Sequence, residues 1–377
     1  MLKLLLGLGA APALTMALFA LAGCGSEPAS PPPPVPTITS LPNMNNVILY
    51  VGKVDGVANP QNMYGMGIYL VDPSTGGMQG WAISRPLEEP SSNYISTLYG
   101  ASWSAARGEL LLGGQIGNKP VRFVVGRDGR ATDLSLWEDA DPQFQYHTFH
   151  DYAFSPDGRQ IAYNRHDNRG YNDPDDDVYL QDATGSTPRR ISAGLHGHGP
   201  AWSPDGAHLA FAGFESNRPS IYRVAVAPDG ADDADDADDA DAAGGSKPRP
   251  LVENFQGAYA PAWSPDGKSI AFLGRRNAAD LVNIWVMDTE GGGLRSVIPL
   301  PAKLDRDAHG LVTFAWSPDS QRFVVLSDHA GSCYHNNIEG GGYCEVSLYL
   351  VNADGTGLAR LGPYTLSRFS VSLAWLP

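Results

Sequence analysis

Positive charge is scarce in this chain of 377 residues. Lys and Arg number 26 against 41 Asp and Glu, for a formal net charge of −15. A nucleic-acid binder needs a basic footprint, so that class is excluded. No P-loop occurs, and no Gly-x-Gly-x-x-Gly follows a strand, which removes the common phosphate-cradling motifs. No Gly-x-Ser-x-Gly pentapeptide is present either, so the strained nucleophile turn of a serine hydrolase has no sequence to form it. Cysteine is limited to Cys24, Cys333 and Cys344. Part of the acidity is local: residues 231–241 read ADDADDADDAD. That run lacks the Gly and Glu that shape an EF-hand calcium loop. With no apolar residue larger than Ala, 231–246 is expected to be a solvated, disordered insertion.

What is present begins with Met1-Leu-Lys3 and an almost uncharged run to Ala22. Its length is near that of a bilayer span, but Pro12 and three glycines by position 23 suit a removable signal better. It ends in Leu21-Ala22-Gly23-Cys24, which resembles the lipobox of bacterial lipoproteins. The resemblance implies a signal peptide over residues 1–23 and acylation of Cys24, the mature N-terminus. Gly25 rather than Asp after the Cys implies delivery to the outer membrane, facing the periplasm or the cell surface. Residues 24–45 are rich in Ser, Glu and Pro, including Pro31 to Pro34, and read as a semi-rigid tether. In such an oxidising compartment, Cys333 and Cys344 are expected to form a local disulfide.

The body of the chain is repetitive. DYAFSPDGRQIAYNR starts at Asp151, GPAWSPDGAHLAFAG at Gly199, APAWSPDGKSIAFLG at Ala260 and TFAWSPDSQRFVVLS at Thr313, with a weaker GASWSAARGELLLGG at Gly100. A period of about fifty residues points to a propeller or solenoid. In each copy, alternation such as Pro200 and Trp202 against Ala201 and Ser203 makes a strand with one large and one small face. Ser-Pro-Asp-Gly then turns the chain: Pro204 presets φ, Asp205 tolerates the third turn position, and Gly206 accepts a left-handed backbone. Ser320 replaces that Gly in one copy, at a cost on the order of 1 kcal/mol if left-handed. A third strand follows each hairpin (Val178–Leu180, Ile221–Tyr222, Ile284–Trp285, Leu348–Leu350, Arg122–Val124). Short fourth strands then follow, at Arg190–Ile191, Pro250–Val252 and Ser296–Ile298. Four antiparallel strands make a propeller blade.

Five complete units leave two fragments. Val371–Pro377 is a first strand, while Val47–Val51 and Gly67–Val71 are a second and third strand without a first. Pairing them gives a sixth blade and a closed ring with no open sheet edge. The expectation is an all-β, six-bladed propeller over residues 46–377, a single domain and a monomer. The repeated A-W-S-P-D-G-x-x-I-A-F resembles the propeller of TolB-type proteins. TolB proper carries a further α/β domain before its propeller and is soluble, so this chain is expected to be TolB-like rather than TolB itself. Recognition of TolB's lipoprotein partner is not carried over.

Blade topology sorts the loops. Ser-Pro-Asp-Gly turns and third-to-fourth-strand loops lie on one face, called the bottom. Second-to-third-strand and blade-to-blade loops lie on the top. Eight of the nine histidines fall on the top, His208 being the exception. His150 and His198 both stand four residues before the inner-strand aromatic, and His147 and His309 both stand seven before it. Equivalent positions on neighbouring blades converge on the central channel, so His150, His196, His198 and His309 are candidate ligands for Ca, Mn or Zn. In an extended segment, His196 and His198 also point the same way. Asp173–Asp177 reads as an exposed acidic turn.

Two function classes fit these residues. One is a non-enzymatic interaction module that offers its channel mouth to an envelope protein, peptide or glycan. Tyr99, His147, Tyr171, Tyr259, Tyr334 and Tyr343 would be its contacts, with Arg218, Arg275 and Arg276 for acidic groups. The other is a divalent-metal enzyme similar to oligogalacturonate lyases, using the His residues at the mouth. The first is the preferred reading, and no cofactor is required by it. A prolyl-oligopeptidase-like enzyme is excluded for want of its hydrolase domain and nucleophile motif.

Overall fold

A computed structural model describes residues 35–38, 45–55, 66–81, 95–116, 119–133, 152–166, 176–184, 188–215, 218–226, 247–298, 311–328, 333–336, 341–344, 346–366 and 372–377. The N-terminal apolar run, Cys24, Pro31 to Pro34 and the insertion 231–246 lie outside these residues. So do His147, His150 and His309.

All regular structure among the described residues is strand. Blade 1 begins with β1 (Thr37–Ile38), β2 (Val47–Lys53), β3 (Met66–Val71) and β4 (Met78–Trp81). Blade 2 holds β5 (Ile95–Ser104), β6 (Glu109–Ile116), β7 (Lys119–Gly126) and β8 (Ala131–Asp133). Blade 3 holds β9 (Tyr152–Phe154), β10 (Gln160–His166), β11 (Asp176–Asp182) and β12 (Arg189–Arg190). Blade 4 holds β13 (His198–Trp202), β14 (His208–Glu215), β15 (Arg218–Ala225) and β16 (Arg249–Pro250). Blade 5 holds β17 (Gly257–Trp263), β18 (Ser269–Arg275), β19 (Asn283–Asp288) and β20 (Arg295–Ser296). Blade 6 runs β21 (Leu311–Trp316) and β22 (Arg322–Ser327), then a separate hairpin, β23 (Cys333–Asn336) and β24 (Gly341–Cys344), then β25 (Ser347–Asn352) and β26 (Ala359–Arg360). Finally β27 (Ser372–Leu376) returns to blade 1 and pairs antiparallel with β2, from Val47↔Leu376 to Val51↔Ser372. The ring is thus closed by the two fragments left over from the repeat. The Trp375 indole N–H donates to Asn46 Oδ1 at 2.9 Å and ties the same seam.

Closure is visible in the packing. Among the described residues, six buried apolar clusters occur, one at each junction between successive blades, including the junctions that blade 1 makes with blades 2 and 6. Second strands are deeply enclosed, with Leu110, Ile161, Leu209, Ile270 and Phe323 all at 0% exposure, because each blade is covered on both faces by its neighbours. Burying one such side chain stabilises the ring by roughly 1.5–3 kcal/mol. Indole N–H groups add cross-blade links, Trp202 to the Ala153 carbonyl at 3.0 Å and Trp316 to the Ala262 carbonyl at 3.2 Å.

The Ser-Pro-Asp-Gly turns are clamped in the same way in four blades. The Ser hydroxyl accepts from the backbone N–H five residues on: Gln160 at 2.9 Å, His208 at 2.9 Å, Ser269 at 2.9 Å and Arg322 at 2.8 Å. It donates in turn to the Asp two residues on, at Asp157, Asp205, Asp266 and Asp319. Gly158, Gly206 and Gly267 are left-handed, with φ of 72°, 73° and 71°, and Ser320 takes the same conformation at 60°. Its hydroxyl accepts from the Asp266 N–H at 3.1 Å, linking the blade 6 turn to that of blade 5.

Two features differ from the sequence reading. Residues 35–38 fall within the stretch whose composition reads as tether, yet β1 pairs parallel with β4 as a fifth strand, Thr37 opposite Gly80 and Ile38 opposite Trp81. Ile38 packs against the core between blades 1 and 2 and Val35 against that between blades 6 and 1, which outweighs the extended bias of the prolines around them. Fourth strands also start earlier than their apolar residues suggest. Pairing uses Arg189–Arg190, Arg249–Pro250 and Arg295–Ser296, while Val252, Val297 and Ile298 lie beyond them, buried in the blade junctions.

Candidate functional site

The top face of blade 4 is set by backbone geometry. Leaving β12, the chain turns at Ser192–Leu195, where the Leu195 N–H donates to the Ser192 carbonyl at 3.1 Å. Ala193, Gly194 and His196 all have positive φ, at 50°, 79° and 48°. His196 is therefore not in an extended segment, so strand alternation does not set its direction relative to His198. Gly197 is buried so tightly that a Cβ would lie 2.8 Å from Ser192 Cβ and 2.9 Å from Val178 Cγ2. The Gly-Leu-His-Gly-His-Gly run is thus built to cross from blade 3 to blade 4 in a confined space. His198 opens β13, its ring stacked on Phe214 with centroids 5.8 Å apart. Its Nδ1 lies 3.4 Å from the His196 carbonyl oxygen. Both histidines are half-buried.

Among the described residues no three His, Cys, Asp or Glu side chains gather as a metal-binding group. His196 and His198 are the two candidate ligands that the structure describes; their supposed partners His150 and His309 lie outside the described residues.

Around the channel, blade 5 matches blade 4 in register. Tyr259 stands four residues before Trp263, as His198 does before Trp202, and Tyr99 takes the same place in β5. In all three strands the ladder shifts just after this position, at Gly100, Gly199 and Ala260, whose φ values are 64°, 61° and 50°. Such bulges re-aim the neighbouring side chains. Burial raises the phenol pKa of Tyr259, opposed by the charge of Arg275. Arg275 ends β18 opposite Gly257, where a Cβ would touch both Arg275 and Tyr259 at 3.9 Å. Arg276 is turned elsewhere: its guanidinium lies 4.9 Å from the Phe255 ring centre and 5.0 Å from that of Trp285. The hairpin β23–β24 belongs to the second-to-third-strand connection of blade 6, hence to the top. It forms its own sheet, with Cys333 directly opposite Cys344 and Tyr334 opposite Tyr343.

One polar cluster escaped the sequence reading. Asp177, read there as part of an exposed turn, is 5% exposed. One of its carboxylate oxygens bonds Ser192 Oγ, and the other pairs with the Arg190 guanidinium at 2.8 Å. Ser220 and Asn283 hold the same place in the next blades and donate to the carbonyls of Val252 and Ile298. In these three blades the polar residue before Val178-Tyr179, Ile221-Tyr222 or Ile284-Trp285 ties the third strand to the exit of the fourth, so the signal lay in a repeat position rather than in the acidic run.

A cavity of about 540 Å³ opens on the bottom, at the seam of blade 1, lined by Asn45, Asn46, Trp103, Arg127, Asp319 and Arg322 among others. This is the face opposite the histidines.

TolB of Acinetobacter baumannii superposes with a TM-score of 0.56 at 16% identity, covering 90% of this chain and 68% of that one. A TolB-type structure from Agrobacterium tumefaciens gives 0.52 at 17% identity, covering 88% and 99%. The fold is a TolB-like six-bladed propeller. No family model matches the chain. The uncharacterized peptidase YuxL of Bacillus subtilis and the TolB of Anaeromyxobacter dehalogenans are each 31% identical, over 105 and 104 residues. These stretches make up 26% and 27% of the TolB-like chain but only 15% and 19% of those two relatives. No helix among the described residues is long and apolar enough to cross a membrane.

Proposed function

We propose that this TolB-like propeller is a lipid-anchored interaction module of the bacterial envelope. Cys24 would hold it to the outer membrane on the tether that precedes the ring, with the body in the periplasm. Its top face would engage a protein, peptide or glycan. The observation that carries this reading is the independent hairpin β23–β24 on the top face, which no blade sheet requires. It shares that face with His198, Tyr259 and Arg275, and aromatic and Arg side chains are the anchors that interfaces favour. A Cys333–Cys344 disulfide would stiffen the hairpin, since directly opposed residues on antiparallel strands have Cα spacings of about 4.5–5.5 Å, within the range a disulfide spans. The test is co-purification of cross-linked envelope partners with the wild-type chain and with His198→Trp, which would fill the mouth. Loss of the wild-type partners is expected; an unchanged set would refute binding at the mouth.

A further inference from the structure

The bottom face carries a ring of hairpin turns, and the seam interrupts it. Neighbouring turns touch: a Cβ on Gly206 would lie 3.8 Å from Pro156 Cδ, one on Gly267 would lie 3.9 Å from Pro204, and the Asp266 N–H bonds Ser320. In blade 1 the inner strand β27 and second strand β2 come from distant parts of the sequence, so no tight turn joins them. The cavity of about 540 Å³ occupies that place, between Ser317–Asp319 of blade 6 and Trp103 of blade 2. Its size falls within the roughly 300–1,000 Å³ usual for small-molecule sites.

The lining is unusual for a chain of net charge −15. Arg127 lies over the Trp103 ring at 5.6 Å, and Arg322 over the Trp375 ring at 5.3 Å. Among the described residues Arg127 is in no ion pair and keeps its hydrogen-bonding fork for an anionic group, while the charge of Arg322 also acts on the Asp319 carboxylate of the same cavity. A carboxylate or a phosphate fits such a fork equally well. Asp319 lines the same cavity and decides between them. Its negative charge opposes a multiply charged phosphate more than a carboxylate, and with Oδ1 taken by the Ser317 hydroxyl and the Gln321 N–H, Oδ2 is left to accept from a hydroxyl group. Asn45 and Asn46 add amides, and the Asn46 oxygen already accepts from Trp375, which leaves its NH₂ to donate. We propose that the seam cavity binds a carboxylated sugar, with Arg127 and Arg322 on the carboxylate and Asn45, Asn46 and Asp319 on the hydroxyls. This site is independent of the top face, and failure of either assignment leaves the other standing.

The test is titration of the full chain with sodium glucuronate by calorimetry and ligand-observed NMR, beside glucose and inorganic phosphate. Saturable glucuronate binding is expected, with glucose and phosphate each at least about tenfold weaker. Arg127→Gln and Arg322→Gln should each weaken it about tenfold, and Arg322→Lys should not restore it, because an ammonium lacks the bidentate fork. His198→Trp on the opposite face should leave it unchanged. Absence of saturable binding, equal binding of phosphate, or binding that survives both arginine substitutions overturns the assignment. Arg322 rests on the core residue Trp375, so Arg127→Gln at an exposed turn carries the test if Arg322→Gln fails to fold.

Discussion

Replacing Ser264 by Ala removes one hydroxyl from a turn that the ring repeats in four blades. The Ser264 side chain is 1% exposed. Its oxygen accepts from the Ser269 N–H at 2.9 Å and its hydroxyl donates to Asp266 Oδ1 at 2.7 Å. The variant leaves a half-buried backbone donor without its partner and breaks one bond to a charged acceptor. At about 1 kcal/mol each, given the exposure of Asp266, the loss is about 2 kcal/mol. Urea unfolding of wild type and Ser264→Ala at pH 7 measures it directly. The same bond gives a second readout. The Ser264 hydroxyl is the largest influence holding the Asp266 carboxyl below its ordinary range, with the Lys268 N–H and its charge assisting and burial opposing. A depressed folded pKa contributes stability that is fully present above the unfolded value of about 3.9 and is lost as pH falls through the folded value. The stability gap between wild type and variant should therefore hold from pH 7 down to about 4 and shrink as pH falls further. A gap under about 0.5 kcal/mol at pH 7, or one that stays constant down the acid range, would refute the clamp as a source of ring stability.

The remaining predictions concern the ring and its top face. Ser320→Gly should be near neutral, because relief of about 1 kcal/mol of left-handed cost offsets loss of the bond to Asp266; Ser320→Ala should be about 1 kcal/mol less stable than the Gly variant by urea unfolding. Removing residues 371–377 deletes β27 and opens β2, so the product should be unfolded or aggregated by size-exclusion chromatography; a stable monomer would contradict closure by this strand. In chain exported to an oxidising compartment, Cys333 and Cys344 should resist thiol labelling under denaturing conditions until reductant is added. Labelling without reductant would remove the disulfide from the proposal.

The sequence determined the ring almost by itself. Four near-identical Ser-Pro-Asp-Gly/Ser turns and one weaker copy set the blade, because each turn residue is required by local backbone geometry that needs no partner. The leftover strands at residues 47–51 and 371–377 set the closure by counting alone. Even the left-handed Ser320 was legible, since its position in the repeat is occupied elsewhere by Gly. What lay beyond the sequence depended on which segments meet. Gly197 looked like a spacer in a metal motif until the packing of Val178 and Ser192 left no room for a Cβ. Asp177 looked like a solvated charge until Arg190 and Ser192 closed over it. The fifth strand of blade 1 needed Gly80 opposite Thr37, a pairing without local signature. The seam cavity is the clearest case: Arg127 and Arg322 are 195 positions apart in sequence, and only closure of the ring brings them to one opening. Local turn chemistry is written in consecutive residues, whereas a site assembled from blades 1, 2 and 6 exists only once the sheet has come full circle.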